Sequence, residues 1–176
     1  MRIAVSGSHG TGKSTLITEL AAVLPEMIAI DEAYDVMLSD GAAFGERLRV
    51  DDFEALCERE VELVDASNGD LVVFDRSPAD YLAYMVALDA DAPSRKLITD
   101  VGEAMEMIDL VIFVPVEEPD RVRVTPELPR LRKRVHALLR EMLVEDGWGW
   151  GVPVLEVRGS MEDRVHQVVK HVASLR

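Results

Sequence analysis

The 176 residues suffice for one domain of ordinary size, and a composition of 48% hydrophobic and 30% charged residues supports a buried core and excludes a disordered chain. Nineteen basic against 33 acidic residues leave a formal charge of −14, which repels a phosphodiester backbone and argues against a nucleic-acid module. The one cysteine, Cys57, allows no disulfide framework and is expected to pack inside a helix, and no apolar run reaches the roughly 18 residues that span a bilayer.

The chain opens on a strand-like run, Arg2–Ser6, with no signal- or transit-peptide pattern, so a cytoplasmic protein is expected. A Gly-rich turn follows, and from Lys13 the apolar residues Leu16, Ile17, Leu20 and Val23 recur at helical spacing until Pro25. Met27–Ile30 reads as a second strand ending in Asp31-Glu32, and residues 34–38 as a short helix. Phe53, Leu56, Cys57, Val61 and Val64 mark a longer helix closed by Asn68-Gly69. Leu71–Phe74 is an apolar strand ending at Asp75-Arg76. Helices are expected over 78–90 and 94–108, a strand over 110–114, a helix over 128–142, a strand over 152–157 and a last helix from Met161. Five short apolar strands alternating with helices predict an α/β fold, a three-layer sandwich around a five-stranded parallel sheet.

Gly7-Ser8-His9-Gly10-Thr11-Gly12-Lys13-Ser14 fits G-x-x-x-x-G-K-[ST] completely, and it lies between a strand and a helix as its mechanism requires. Glycines let the backbone turn its amides onto phosphate oxygens at the positive end of a helix. Lys13 is placed to reach the β- and γ-phosphates and Ser14 to ligand Mg²⁺. With Thr15, these residues form the candidate ATP-binding set. His9 sits at a variable position of the loop and reads as an exposed filler. Ligands of open parallel sheets collect at the carboxyl ends of the strands. That rule brings Asp31, Glu32, Asp75 and Arg76 to the same edge. Leu-Val-Val-Phe-Asp is Walker-B-like, with Asp75 as second Mg²⁺ candidate, and Arg76 offers a planar fork for an anionic or hydroxyl-bearing substrate.

Gly7 to Thr15 together with Phe74-Asp75-Arg76-Ser77 resembles the nucleoside and nucleotide kinase branch of the P-loop proteins. Within it, the chain is similar to the small AAA-type ATP-binding domain related to thymidylate kinase and the nicotinamide-riboside kinases. The resemblance implies a sheet order of 2-3-1-4-5, contact between Arg76 and the acceptor substrate, and a carboxylate after strand 2 as the base that takes the acceptor's proton. Glu32 is the preferred base and Asp31 the alternative. It also implies a helical lid, over approximately 117–146 here. Seven of the 19 basic residues fall between Arg121 and Arg140, and Arg123, Arg130 and Arg134 are the lid candidates for contact with transferring phosphate. Ser77, rather than an aromatic residue, follows Asp-Arg, a departure from thymidylate kinase that favours a nucleoside-like acceptor.

Several polar residues read as structural. Ser77-Pro78-Ala79-Asp80 is a capping box, so Asp80 is expected to cap a helix. Asp109 precedes a strand and belongs to the opposite edge. Trp148 and Trp150 precede the last strand and are expected to pack, whereas Arg158-Gly159-Ser160 follow it and flank the adenine side. The leading expectation is therefore an ATP- and Mg²⁺-dependent kinase of a small-molecule hydroxyl or phosphate group. A regulatory P-loop ATPase without an acceptor and a 5′-hydroxyl polynucleotide kinase are the alternatives. No N-K-x-D motif suggests a GTPase, and a homodimer is compatible with the sequence.

Overall fold

In the computed structural model, residues 1–117 and 129–175 are described. The elements are β1 (Arg2–Ser6), α1 (Lys13–Val23), β2 (Ile28–Ile30), α2 (Ala33–Ser39), α3 (Val50–Ala66), β3 (Val72–Asp75), α4 (Pro78–Leu88), α5 (Arg95–Glu106), β4 (Leu110–Phe113), α6 (Pro129–Leu139), β5 (Val154–Glu156) and α7 (Met161–Leu175). The strands pair in parallel in the order β2-β3-β1-β4-β5, as the resemblance implied.

Side chains of a strand alternate between faces, and the core divides accordingly. Ile3, Val5, Val73, Leu110 and Ile112 pack with Leu16, Leu20, Val168 and Val172 beneath α1 and α7. Ala4, Val72, Phe74, Val111 and Phe113 face the larger layer of α3 to α6. Phe74 is wholly buried there, a placement that contributes about 1.5–3 kcal/mol relative to an exposed ring. Helix α4 is apolar almost all round because it touches α3, α5 and α6 at once.

Two boundaries differ from expectation. The last strand pairs only over Val154–Glu156, because it is an edge strand bonded on one side. The helix beginning at α6 does not run uniformly: Arg140–Val144 form a π-helical turn, with Glu145 N–H donating to the Arg140 carbonyl at 2.9 Å. No described helix is long and apolar enough to cross a membrane. Cys57 is buried, its Sγ 3.5 Å from the Pro78 carbonyl, and burial pushes its thiol well up.

Candidate active site

The loop after β1 begins with a close approach. A Cβ on Gly7, at φ +151°, would lie 2.4 Å from the Val114 carbonyl oxygen, so only glycine lets the chain pass the end of β4. The turn closes on Gly12, in the left-handed conformation at the N-cap of α1. Between them, each carbonyl has a donor behind it. Ser8 O accepts from Thr11 Oγ1 and from Lys13 Nζ, both at 3.1 Å. Arg132 donates to the His9 and Gly10 carbonyls at 2.9 and 3.1 Å, and Arg164 to that of Thr11 at 2.8 Å. In a trans peptide the N–H opposes the C=O. Holding these carbonyls from outside therefore turns the amides of Gly10, Thr11 and Gly12 inward, where an anion would bind.

Asp80 secures the start of the same loop. Its side chain is fully buried; Oδ1 accepts the Gly7 N–H at 3.0 Å while Oδ2 accepts from the Ser77 amide and hydroxyl at 3.1 and 2.9 Å. The capping box is present, and the cap also ties α4 to the loop. Ser6 Oγ donates to Ser77 Oγ at 2.9 Å, a second bond across the same junction.

Lys13 is buried, and desolvation, with Arg76 beside it, lowers its pKa to about 8 against the pull of Asp80, Asp75 and Glu32. Burial raises the Asp75 pKa, opposed by a hydrogen bond from Ser14 and by Lys13 and Arg76. One Asp75 oxygen, Oδ1, is buried without a hydrogen-bond partner. A hydroxyl and a carboxylate with a spare oxygen are hard ligands that suit Mg²⁺, which takes few protein oxygens and keeps phosphate and water in its remaining positions.

On the acceptor side, Glu32 Oε2 pairs with Arg76 Nε across the ends of β2 and β3. Arg76 adopts φ +102°, a conformation that costs a non-glycine residue about 1–3 kcal/mol and persists only where its surroundings determine it. Here those are the Glu32 pair, the backbone bond to Val5 O at 3.2 Å, and the faces of Tyr81 and Tyr84, each 5.8 Å from the guanidinium carbon. Burial works against the Arg76 charge, and Glu32, the tyrosines and Asp80 more than restore it. Its Nη1 is buried with no hydrogen-bond partner. Asp31 is exposed at the end of β2. Asp35, on α2, has its pKa raised by burial and by the carboxylates of Glu32, Asp31 and Asp75.

Three functional neighbours escaped the sequence reading. Arg130 and Arg134 are exposed on α6, and Arg132, only 7% exposed, is the residue that reaches the loop. Arg123 lies outside the described residues. Arg164 on α7 is the second clamp, steadied by Glu117 at 3.6 Å, whose Oε1 also accepts the Gly159 N–H at 2.8 Å. Glu60, fully buried on α3, accepts the Ala33 N–H at 3.3 Å beside Glu32. Desolvation raises its pKa well above that of an ordinary carboxyl. Each interrupts an apolar stripe: Arg132 with Val135 and Leu139, Arg164 with Val168 and Val172, Glu60 with Cys57 and Val64. A charge inside such a stripe was the available signal. His9 is a correction: it is half-buried and hydrogen-bonded to Tyr84, not an exposed filler. Trp148 and Trp150 pack on the core, and Asp109 sits at the opposite edge, accepting the Arg2 N–H at 2.7 Å.

Loop, sheet order and strand-end carboxylates together define a P-loop fold of the nucleotide-kinase arrangement. The family model described as an AAA domain matches residues 2–164, and the chain belongs to that family. No curated protein matches it. Among solved structures, deoxyadenosine kinase from M. mycoides is similar over 100% of both chains, at 15% identity and a TM-score of 0.68. Thymidylate kinase from Candida albicans is similar over 99% of this chain and 91% of its own, at 15% identity and 0.67. The NadR protein in complex with NR matches 98% of this chain with 50% of its own, at 19% identity and 0.69. Such identities speak for the fold.

Proposed function

We propose that this chain is a cytoplasmic phosphotransferase that moves the γ-phosphate of MgATP to a hydroxyl, or a phosphate, of a nucleoside-like small molecule. The observation that carries this reading is the Glu32–Arg76 pair. It sets a carboxylate and a guanidinium at the sheet edge that also holds the loop and Asp75, with Arg76 Nη1 making no hydrogen bond and lying 3.8 Å from Asp80 Oδ1. Plain hydrolysis of ATP has no use for such a buried donor beside a carboxylate. The neighbours in fold include kinases of a nucleoside, a nucleotide and, in the Acinetobacter baumannii structure, shikimate.

In this reading the inward amides of the loop and Lys13 hold the polyphosphate, while Ser14 and Asp75 hold Mg²⁺, which neutralises charge on the phosphates. The acceptor's oxygen is received by the Arg76 guanidinium, and Glu32 accepts its proton as the phosphorus–oxygen bond forms. Residues 117–146 act as the lid of a single catalytic domain, with Arg130 and Arg134, and Arg123 from outside the described residues, as candidates to meet the phosphates. Catalysis is mainly positioning and electrostatic stabilisation. ATP consumption with Mg²⁺, measured against nucleosides, nucleoside monophosphates, sugars and a 5′-hydroxyl oligonucleotide, tests the proposal. Stimulation by one small-molecule class, lost in Lys13→Ala and Glu32→Gln, supports it. Steady hydrolysis indifferent to every acceptor contradicts it and leaves an ATPase. Salt-sensitive stimulation by the oligonucleotide alone replaces the acceptor with a polynucleotide.

A further inference from the structure

The turn between β5 and α7 has its backbone donors already in use. Arg158 N–H donates to Gln167 Oε1 at 3.3 Å, Gly159 N–H to Glu117 Oε1 at 2.8 Å, and Ser160 N–H to Asp163 Oδ2 at 2.8 Å. Gln167 is held in that role, because its Nε2 donates to the Arg158 and Asp163 carbonyls at 2.7 and 3.0 Å. Asp163 Oδ2 also takes the Ser160 hydroxyl, at 2.6 Å. A Cβ on Gly159, at φ +97°, would lie 2.8 Å from that same oxygen, so only glycine lets the turn close over it. An amide has one hydrogen to give, whereas a carbonyl oxygen has two lone pairs. The main chain of residues 158–160 can therefore offer a ligand acceptors and no donor.

On the reading of the loop as a triphosphate site, this turn lies on the nucleoside side. Glu32 and Arg76 stand at the ends of β2 and β3, and the sheet order puts β4 and β5 across β1 from them. A triphosphate with its γ-phosphate toward Glu32 and Arg76 carries its nucleoside toward β4 and β5. Two side chains join the turn to the loop there. Arg164 Nη1 donates to the Thr11 carbonyl at 2.8 Å, and Nη2 lies 3.6 Å from the Glu117 oxygen that takes the Gly159 N–H.

The two purines differ in the order of their hydrogen-bonding groups. Adenine presents an amino hydrogen next to the acceptor N1, and guanine a carbonyl next to N1–H. A carbonyl beside a free amide pairs with adenine and not with guanine, whereas a carbonyl alone finds a hydrogen on either base. We propose that this protein takes ATP and GTP alike, and that Glu117 sets this tolerance by occupying the Gly159 amide that would otherwise receive adenine N1. The inference rests on the phosphotransferase reading only as far as the loop binds a triphosphate.

Calorimetric titration of the full chain with the Mg²⁺ complexes of non-hydrolysable ATP and GTP analogues, and of tripolyphosphate, tests this. The two analogues are expected to bind within about fivefold of each other, less than one good hydrogen bond to the base would give. Glu117→Ala frees the amide and is expected to favour the ATP analogue about tenfold, whatever the lost Arg164 pair does to both affinities. Glu117→Gln keeps an acceptor for the Gly159 N–H and removes the charge facing Arg164. It is expected to keep the wild-type ratio, a result that a purely structural role for the ion pair would not separate from Glu117→Ala. A wild-type preference for either purine beyond that fivefold range would overturn the inference, as would an unchanged ratio in folded Glu117→Ala. Binding of neither analogue nor tripolyphosphate would instead overturn the triphosphate reading beneath it.

Discussion

The nucleotide side and the acceptor side of this site are built in different ways. On the nucleotide side the working groups are backbone amides, set by glycines and by the peptide plane, with Arg132 and Arg164 fastening the carbonyls from behind. On the acceptor side they are side chains from separate elements: Glu32 after β2, Arg76 after β3, Glu60 on α3, and Tyr81 and Tyr84 on α4. Asp80 and the His9–Tyr84 contact join the two. The amides of the first half come from eight consecutive residues, and only its clamps come from distant helices. The second requires the fold to be in place.

The largest effect should come from the nucleotide side. Lys13→Ala removes the one flexible cation of the loop and is expected to lower the rate of ATP use about 10³-fold, read by steady-state kinetics. Asp80→Ala strikes the junction. It strands the Gly7 amide, the Ser77 amide and the buried Arg76 charge, and is expected to cost about 3–5 kcal/mol in denaturant unfolding. Arg132→Gln leaves two loop carbonyls short of donors and is expected to weaken nucleotide binding about tenfold to a hundredfold, more than Arg130→Gln or Arg134→Gln does. A titration calorimeter distinguishes the three; equal losses would shift the clamp's role to the exposed lid arginines.

Glu60 separates packing from charge on the acceptor side. Its folded pKa lies above its unfolded value, so the stability it contributes at low pH is lost as pH rises above about 4.5 towards the raised folded value. Glu60→Gln keeps an acceptor for the Ala33 N–H and cannot ionise. It is expected to raise Tm by about 3 °C at pH 7.5 and by less at pH 5. A lower Tm at both values would mean that the ionised carboxylate has a partner supplied by the fold. The smallest effect is a proton count. Lys13 titrates near pH 8 in the free protein, and phosphate holds it charged, so nucleotide binding should take up part of a proton there. Binding heats in buffers of different ionisation enthalpy measure that uptake directly. Sign matters here: affinity should fall as pH rises through about 8, while the free protein gains stability over the same range up to the ordinary lysine value.

The parallel sheet was legible because strands buried on both faces are continuous apolar runs, as Leu71–Phe74 and Leu110–Val114 are, whereas its strand order came only from the resemblance. The loop was legible because its spacing encodes its own geometry. Asp75, Arg76, Asp31 and Glu32 could be brought to one edge by the rule for strand ends, but not paired, since nothing local joins Glu32 to Arg76. Arg132 was passed over on α6 for a related reason. Outward positions were favoured for contact with phosphate, whereas Arg132 works from the buried stripe by holding carbonyls. Residues whose partners lie more than a hundred positions away, as Arg132 and Arg164 do, leave only the mark of a charge where the pattern calls for an apolar side chain.

The most direct test of the account follows the γ-phosphorus itself. ³¹P NMR of the protein with MgATP and a mixture of uncharged nucleosides should show the γ resonance of ATP giving way to that of a phosphomonoester on carbon, with ADP in equal amount and the signal absent in Glu32→Gln. Inorganic phosphate as the only product, at the same rate with and without the nucleosides and with their monophosphates, would contradict the claim that Glu32 and Arg76 are there to receive an acceptor.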